Sequence, residues 1–283
     1  MKNNSTHKST LLAIACFVAL GFFATLTAHA QEDNPLISSP LITTTGANVL
    51  GSGHLLLSGD VNATRFHSDY FHKDDSKHNI FGGGASLRWG IGSNAELTLG
   101  VSASHAEGYL FDTITYAPDN LSLVPSIGAR IMLLGNEESK NKLTFFTEVT
   151  LPLRRGHPYV EDEGMLAEPI IGLQYRCRIS SHWYFDASAA YAWNRHAPYA
   201  RMTDRPFRLT LFAHWLPNER WMFSAGLDNS LDNSQGLVEA LWQTNDRLQL
   251  KAQMHIEGGI NTSFSTSSIF SIYGLIGFNW MIR

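Results

Sequence analysis

Leu248-Gln249-Leu250-Lys251-Ala252-Gln253-Met254-His255-Ile256-Glu257 alternates apolar and polar side chains through ten consecutive residues. In an extended strand successive side chains point to opposite faces. Leu248, Leu250, Ala252, Met254 and Ile256 therefore share one wall, and Gln249, Lys251, Gln253, His255 and Glu257 the other. A helix of period 3.6 would scatter both sets around its axis. The same alternation recurs in Leu143, Phe145, Thr147, Val149 and Leu151, set against Thr144, Phe146, Glu148 and Thr150. It appears again in Phe207, Leu209, Leu211, Ala213 and Trp215, set against Arg208, Thr210, Phe212 and His214.

Outward from these segments, period two persists through most of the chain from Gly53 onward. It predicts about twelve strands, each near the roughly 9 to 11 residues that a tilted strand needs to cross a bilayer. Their starts fall near His54, Asn79, Asn94, Leu121, Lys142, Glu168, His182, Phe207, Trp221, Gly236, Arg247 and Ser268. Short polar turns at Gly92-Ser93-Asn94, Ser180-Ser181, Pro217 to Arg220 and Asn245-Asp246, with a longer one at Gly135 to Asn141, alternate with long polar links. The long links run from His67 to His78, Glu107 to Asn120, Arg154 to Ala167, Arg195 to Arg205 and Gly258 to Ser267; the short link Leu231 to Gln235 breaks the rule. Transmembrane barrels have short periplasmic turns and long extracellular loops, so the alternation places the N-terminus in the periplasm.

The expected fold is all-β, a closed antiparallel transmembrane β-barrel of about twelve strands. Which wall faces inward follows from size. About eight strands already enclose a filled core, so an apolar lumen behind twelve would be a large dry void. The polar wall therefore lines the lumen, where Asp60, Glu96, Glu148, Glu168, Asp186, Asp228, Glu239 and Glu257 face Arg88, Arg130, Arg176, Arg178, Arg208 and Lys251. Charges in a partly desolvated interior must pair or stay hydrated, which predicts cross-strand ion pairs bracing a narrow passage. Gly82 and Gly84 fall on the lumenal side and Gly83 on the outer one. Trp89, Trp183, Trp215, Trp221, Trp242 and Trp280 fall on the apolar wall near the periplasmic end, the position of an aromatic girdle, and Trp193 lies near the other rim.

The N-terminus reads as an export signal. Lys2 and Lys8 precede the apolar stretch Leu11 to Leu26, and Ala28-His29-Ala30 supplies small residues for cleavage after Ala30. The expected organisation is a signal peptide over 1–30, a periplasmic segment over 31–52 and a barrel over 53–283. The mature part keeps one cysteine, Cys177, so no internal disulfide holds it. Charged residues make up 16% of the chain, the net charge is −4, and there are sixteen Phe, nine Tyr and seven Trp, which gives no footprint for nucleic acid. The last segment, with Phe270, Ile272, Gly274, Ile276, Phe278, Trp280 and Ile282 on one parity, suits a closing strand presented to the barrel assembly machinery.

Three short stretches carry a family resemblance. They are Thr45-Gly46-Ala47-Asn48-Val49-Leu50-Gly51-Ser52-Gly53-His54-Leu55, the hairpin Leu87-Arg88-Trp89-Gly90 with the turn Ser93-Asn94 and Glu96-Leu97-Thr98-Leu99-Gly100, and the ending Gly277-Phe278-Asn279-Trp280-Met281-Ile282-Arg283. Together they resemble the outer-membrane barrel family named after a meta-pathway of phenol degradation. The resemblance implies a bacterial outer-membrane transporter for small compounds, apolar or aromatic ones included, with no catalytic residues and no cofactor to carry over. Thr44-Thr45-Gly46 stands where many members have an Asp-Arg-Pro-like segment.

The expected function is passive uptake of a small solute through a narrow charged lumen, in contact with outer-membrane lipid. Arg88, Arg130, Arg176, Arg208 and Lys251 would favour anionic groups, with Glu148, Glu168, Asp186 and Glu239 pairing with them or opposing them. The alternatives are a barrel enzyme or a structural or adhesive barrel. A lipid hydrolase needs Ser and His together on the outer wall, but His105 and the pair Ser102 and Ser104 differ in parity. A peptide hydrolase would draw on Asp69, Asp74 and Asp75 with His157, Glu161, Asp162 and Glu163 over the mouth. His67, His72 and His78 with Asp69 and Asp74 have the chemistry of a divalent metal site but no diagnostic spacing.

Overall fold

The structure, a computed structural model, describes residues 47–70, 74–110, 114–115, 121–136, 139–151, 153–154, 168–192, 207–230, 233–260 and 268–282. The export signal and most of the segment before the first strand lie outside these residues, as do His72 and Trp193. The strands are β1 (Leu55–Tyr70), β2 (Asp74–Ile91), β3 (Ala95–Leu110), β4 (Ile114–Thr115), β5 (Leu121–Leu134), β6 (Asn141–Thr150) and β7 (Leu153–Arg154). They continue as β8 (Glu168–Arg178), β9 (Trp183–Ala192), β10 (Phe207–Trp215), β11 (Trp221–Ser230), β12 (Asn233–Asn245), β13 (Leu248–Ile260) and β14 (Ser268–Met281). Twelve of them form a closed antiparallel ring. Each pairs with its neighbours in sequence, β3 pairs with β5, and β14 returns to β1 from Leu56↔Met281 to Ser68↔Ile269. The two-residue strands β4 and β7 only lengthen the edges beside β3 and β5.

Alternation decides the fold because both faces of each strand are specified. Along β10 the even residues Thr210, Phe212 and His214 are buried while Ala213 and Trp215 are exposed. Burial is inverted relative to a soluble protein at many positions: Arg88, Glu96, Lys142, Arg176, Asp186 and Glu239 are buried, whereas Val61, Leu99, Ile127, Leu227 and Ile276 stand bare on the outer wall. Only lipid makes such a surface favourable, since exposed apolar area costs about 25 cal/mol per Å² in water. The six periplasmic-end tryptophans all lie on this outer wall. Trp183 stacks on Trp215 at 6.3 Å and Trp221 on Trp242 at 5.8 Å, across paired strands.

The periplasmic turns are closed by short polar side chains. Asn218 Oδ1 accepts the N–H of Arg220 and of Trp221, and Asn245 Oδ1 that of Arg247 and of Leu248. Ser180 Oγ does the same for His182 and Trp183. Asn and Ser suit these places because their side chains satisfy backbone donors that the ladder leaves open. Gly92, with φ of 71°, supplies the left-handed residue of the β2–β3 turn.

Two expectations need correction. The stretch His67 to His78 is not a long loop: β1 and β2 continue as a paired hairpin to Tyr70↔Asp74. β2 thus begins at Asp74 rather than Asn79, and β12 at Asn233 rather than Gly236. Pairs such as His67↔Lys77 and Asp69↔Asp75 are polar throughout, so hydropathy carries no period to find there. The backbone register runs on through them without a break.

Candidate functional site

The lumen is filled unevenly, and the filling begins with charge. Arg88 on β2 and Glu96 on β3 approach across the Gly92 turn. Arg88 Nε donates to Glu96 Oε1 and Nη2 to Oε2, both at 2.8 Å. Arg130 on β5 lies 3.5 Å from Glu96 Oε1 and donates to Gln174 on β8. One carboxylate thus holds two guanidinium groups. A second network lies on β8 to β11. Arg176 Nε donates to Asp186 Oδ1 at 2.7 Å and Nη2 to Oδ2 at 2.6 Å, and the guanidinium lies over the Tyr184 ring at 4.4 Å. Tyr184 stacks on His214 at 4.2 Å, and the Tyr184 hydroxyl donates to Met222 Sδ. Together with Leu216 and Leu241, Tyr184 and Met222 form an apolar cluster inside the lumen.

The segment before β1 enters this end of the barrel. Ala47, Asn48, Val49 and Leu50 are all buried. The backbone N–H of Leu50 donates to Glu96 Oε2 at 2.8 Å, and the Asn48 carbonyl accepts from Arg88 Nη2 at 3.3 Å. Lys142 Nζ donates to Asn48 Oδ1 at 3.0 Å, and the Thr144 hydroxyl to the Ala47 carbonyl. A coil without secondary structure needs such partners for its buried backbone groups. Leu50 also packs on Leu56 and Met281 at the β1–β14 seam.

Above Arg88 and Arg130, the wall from β1 to β6 is paved with small residues: Ser58, Gly84, Ser86, Gly100, Ser102, Ser126 and Gly128. They leave a cavity of about 480 Å³. Arg88, Arg130, Glu148 and Lys251 line it, with Asp60, Gln174, Phe146 and several hydroxyls. Lys251 Nζ stands 4.0 Å from Asp60 Oδ2.

Of the nine lumenal residues expected from the sequence, these four meet at one cavity. Arg176 and Asp186 are instead a buried pair within the second network. Glu239 is buried on β12 and accepts from Gln253. Arg208 is exposed on β10, paired in register with Ala190 and Ser230. The Glu168 side chain lies outside the described residues, as do those of His67 and His78. Lys142, Gln174, His214 and Asn48 were missed. The first three share the lumenal parity of their strands, which is the signal that finds them; Asn48 precedes any strand and has none.

His214 lies between Asp186 Oδ2, 3.2 Å from Nε2, and the Ser224 hydroxyl, 2.7 Å from Nδ1. The trio has the residue types of a hydrolase triad, but all three are buried and both Asp186 oxygens are held by Arg176. A nucleophile needs an approach for substrate, so this arrangement reads as packing. Among the described residues no three His, Cys, Asp or Glu side chains converge as a metal site.

No protein-family model matches the chain, and no characterised protein matches it by sequence. Solved structures do match in shape. An outer membrane channel from Pseudomonas putida F1 superposes with a TM-score of 0.60 at 11% identity, over 85% of this chain and 100% of that one. The KdgM porin in complex with disordered oligogalacturonate gives 0.46 at 7% identity, over 79% and 99%. The CymD monoaromatic hydrocarbon channel gives 0.45 at 8% identity, over 83% and 90%. At these identities the first likeness establishes the fold, that of an outer-membrane barrel.

Proposed function

We propose that this protein is a passive channel of the bacterial outer membrane that admits a small solute along the β1 to β6 wall. The observation that carries the reading is the cavity over that wall, about 480 Å³ of open space beside the paired charges and aromatic rings of the lumen. Seven small residues on adjacent strands are hard to explain by packing alone, because filled lumens stabilise a barrel and this one forgoes it. The lining is mostly hydroxyl, glycine and charge, which favours a water-soluble solute. The resemblance to the phenol meta-pathway barrels points to apolar or aromatic compounds, for which Phe146 offers one ring face. No coupling to an energy source and no catalysis enter the proposal. Its surroundings would be outer-membrane lipid, reached after export and assembly through the closing strand β14.

Refolded protein in a planar bilayer tests this. Steady single-channel current that is interrupted by permeant solutes is expected. A sealed bilayer, with vesicles equally impermeable to ions and small solutes, would contradict it.

A further inference from the structure

The register of the ladder sets the cavity wall out in rows. Ser58, Ser86, Gly100, Ser126 and Thr150 pair one to the next across β1, β2, β3, β5 and β6. Neighbouring strands lie about 4.8 Å apart, so this row is a band of hydroxyls broken only by a glycine. Even that gap is used, because the Ser126 hydroxyl overhangs Gly100 where a Cβ would collide with it. The next row towards the periplasm is Arg88, Thr98, Gly128 and Glu148, and Phe146 stands two residues below Glu148. The Phe146 ring reaches over Gly172 of β8, which has no side chain to displace it, and borders the cavity. Among the described residues, the hydroxyls of Ser86, Thr98, Ser126 and Thr150 and the carboxylate of Glu148 have no partner within the protein. The cations of the cavity are engaged: Arg88 with Glu96 and Asn48, Arg130 with Glu96 and Gln174, and Lys251 stands beside Asp60.

A hydroxyl both donates and accepts, and a carboxylate accepts from two donors at once. Such a lining keeps its hydrogen bonds only against water or against a solute that is itself dense in hydroxyls. An apolar ring of the same size would strip water from four hydroxyls and a carboxylate and return nothing, which is the costly case. We propose that the cavity is a binding station for a small neutral polyol the size of a single sugar ring. Glu148 accepts from two adjacent hydroxyls of the solute, the Ser86 to Thr150 row meets the others, and the C–H face of the ring rests on Phe146. This names the solute class for the channel proposed above and rests on that reading for its purpose, but binding is measured without current. It differs from the anion preference expected from the sequence, because the arginines are already engaged. It differs too from the aromatic solutes implied by the resemblance, which would leave the hydroxyl row unsatisfied.

The probes are D-glucose, cyclohexanol, phenol and D-glucuronate, rings of similar size that differ in hydroxyl number and charge. Saturation-transfer NMR reads each one against the refolded barrel in micelles of a detergent without a sugar headgroup, with barrel-free micelles as the blank. Saturable binding of glucose is expected, about tenfold or more tighter than of cyclohexanol or phenol, with glucuronate no tighter than glucose. Glu148→Ala should weaken glucose about tenfold, the usual worth of hydrogen bonds to a charged group. Gly84→Leu should abolish binding, because a Cβ there meets nothing nearer than 3.5 Å and the side chain would fill the cavity. Heat-dependent gel mobility verifies that each variant is folded, and Glu219→Gln, in a periplasmic turn, should change nothing. No saturable binding of glucose, equal or tighter binding of phenol, cyclohexanol or glucuronate, or glucose binding unchanged by both cavity variants would overturn the inference. Glucose binding by a barrel that passes no current would keep the station and sink the channel; current without glucose binding would do the reverse.

Discussion

Asp186 shows what a lumenal carboxylate does when it is fully enclosed. Both oxygens accept from Arg176, and His214 stands beside them, with Arg176 only 1% and Asp186 0% exposed at the side chain. Removing one partner of such a pair leaves a buried charge uncompensated, at a cost of about 3–5 kcal/mol. Asp186→Ala should therefore lower the urea midpoint of the folded barrel sharply. The double change Arg176→Met with Asp186→Leu should recover most of the loss, because an apolar pair of similar volume removes the desolvation penalty as well. A double variant as unstable as the single one would show that the pair is needed for more than neutrality. The parity of Arg176 and Asp186 was legible in the sequence, and so was their lumenal address. Their partners were not: β8 pairing with β9 at Arg176↔Asp186 depends on where the turn Ile179–His182 ends, which alternation alone does not fix to the residue.

Among the elements, the segment 47–50 depends on the first hairpin. Gly53 N–H donates to the Gly90 carbonyl at 3.0 Å and Gly90 N–H to the His54 carbonyl at 2.9 Å, which turns the chain into the lumen. A Cβ on Gly90 would overlap the Gly51 carbonyl oxygen. Gly90→Val should push the segment out of the lumen while the outer wall stays intact. Single-channel recordings should then show conductance raised about twofold or more, on the order of what a wider water-filled cross-section gives. An unchanged conductance would mean that the segment does not restrict the passage. A strand declares itself through alternation, and twelve of them did so here. The segment had no such signal, because a coil held by the side chains of others carries no period of its own. The same reason hid the outer part of the β1–β2 hairpin, where both faces are polar.

At the scale of the whole molecule, the barrel has two solvents and each wall is written for one of them. A charge placed on the lipid wall should cost about 2–4 kcal/mol near the bilayer midplane, while the same charge in the lumen costs little. Leu99, 54% exposed on the outer wall of β3, and Ser126, on the cavity wall of β5, make the comparison. Leu99→Arg should lower the temperature at which the folded gel band converts to the unfolded one, and Ser126→Arg should leave it nearly unchanged while cutting conductance. The most direct measurement uses Ser126→Cys and Ile127→Cys, neighbours in sequence on opposite walls, each in a Cys177→Ser background. Current is recorded in a planar bilayer while a charged, water-soluble thiol reagent is added. The account predicts that current through the Ser126→Cys protein falls in steps and that through Ile127→Cys does not. Equal sensitivity of the two positions, or block at Ile127 alone, would contradict it.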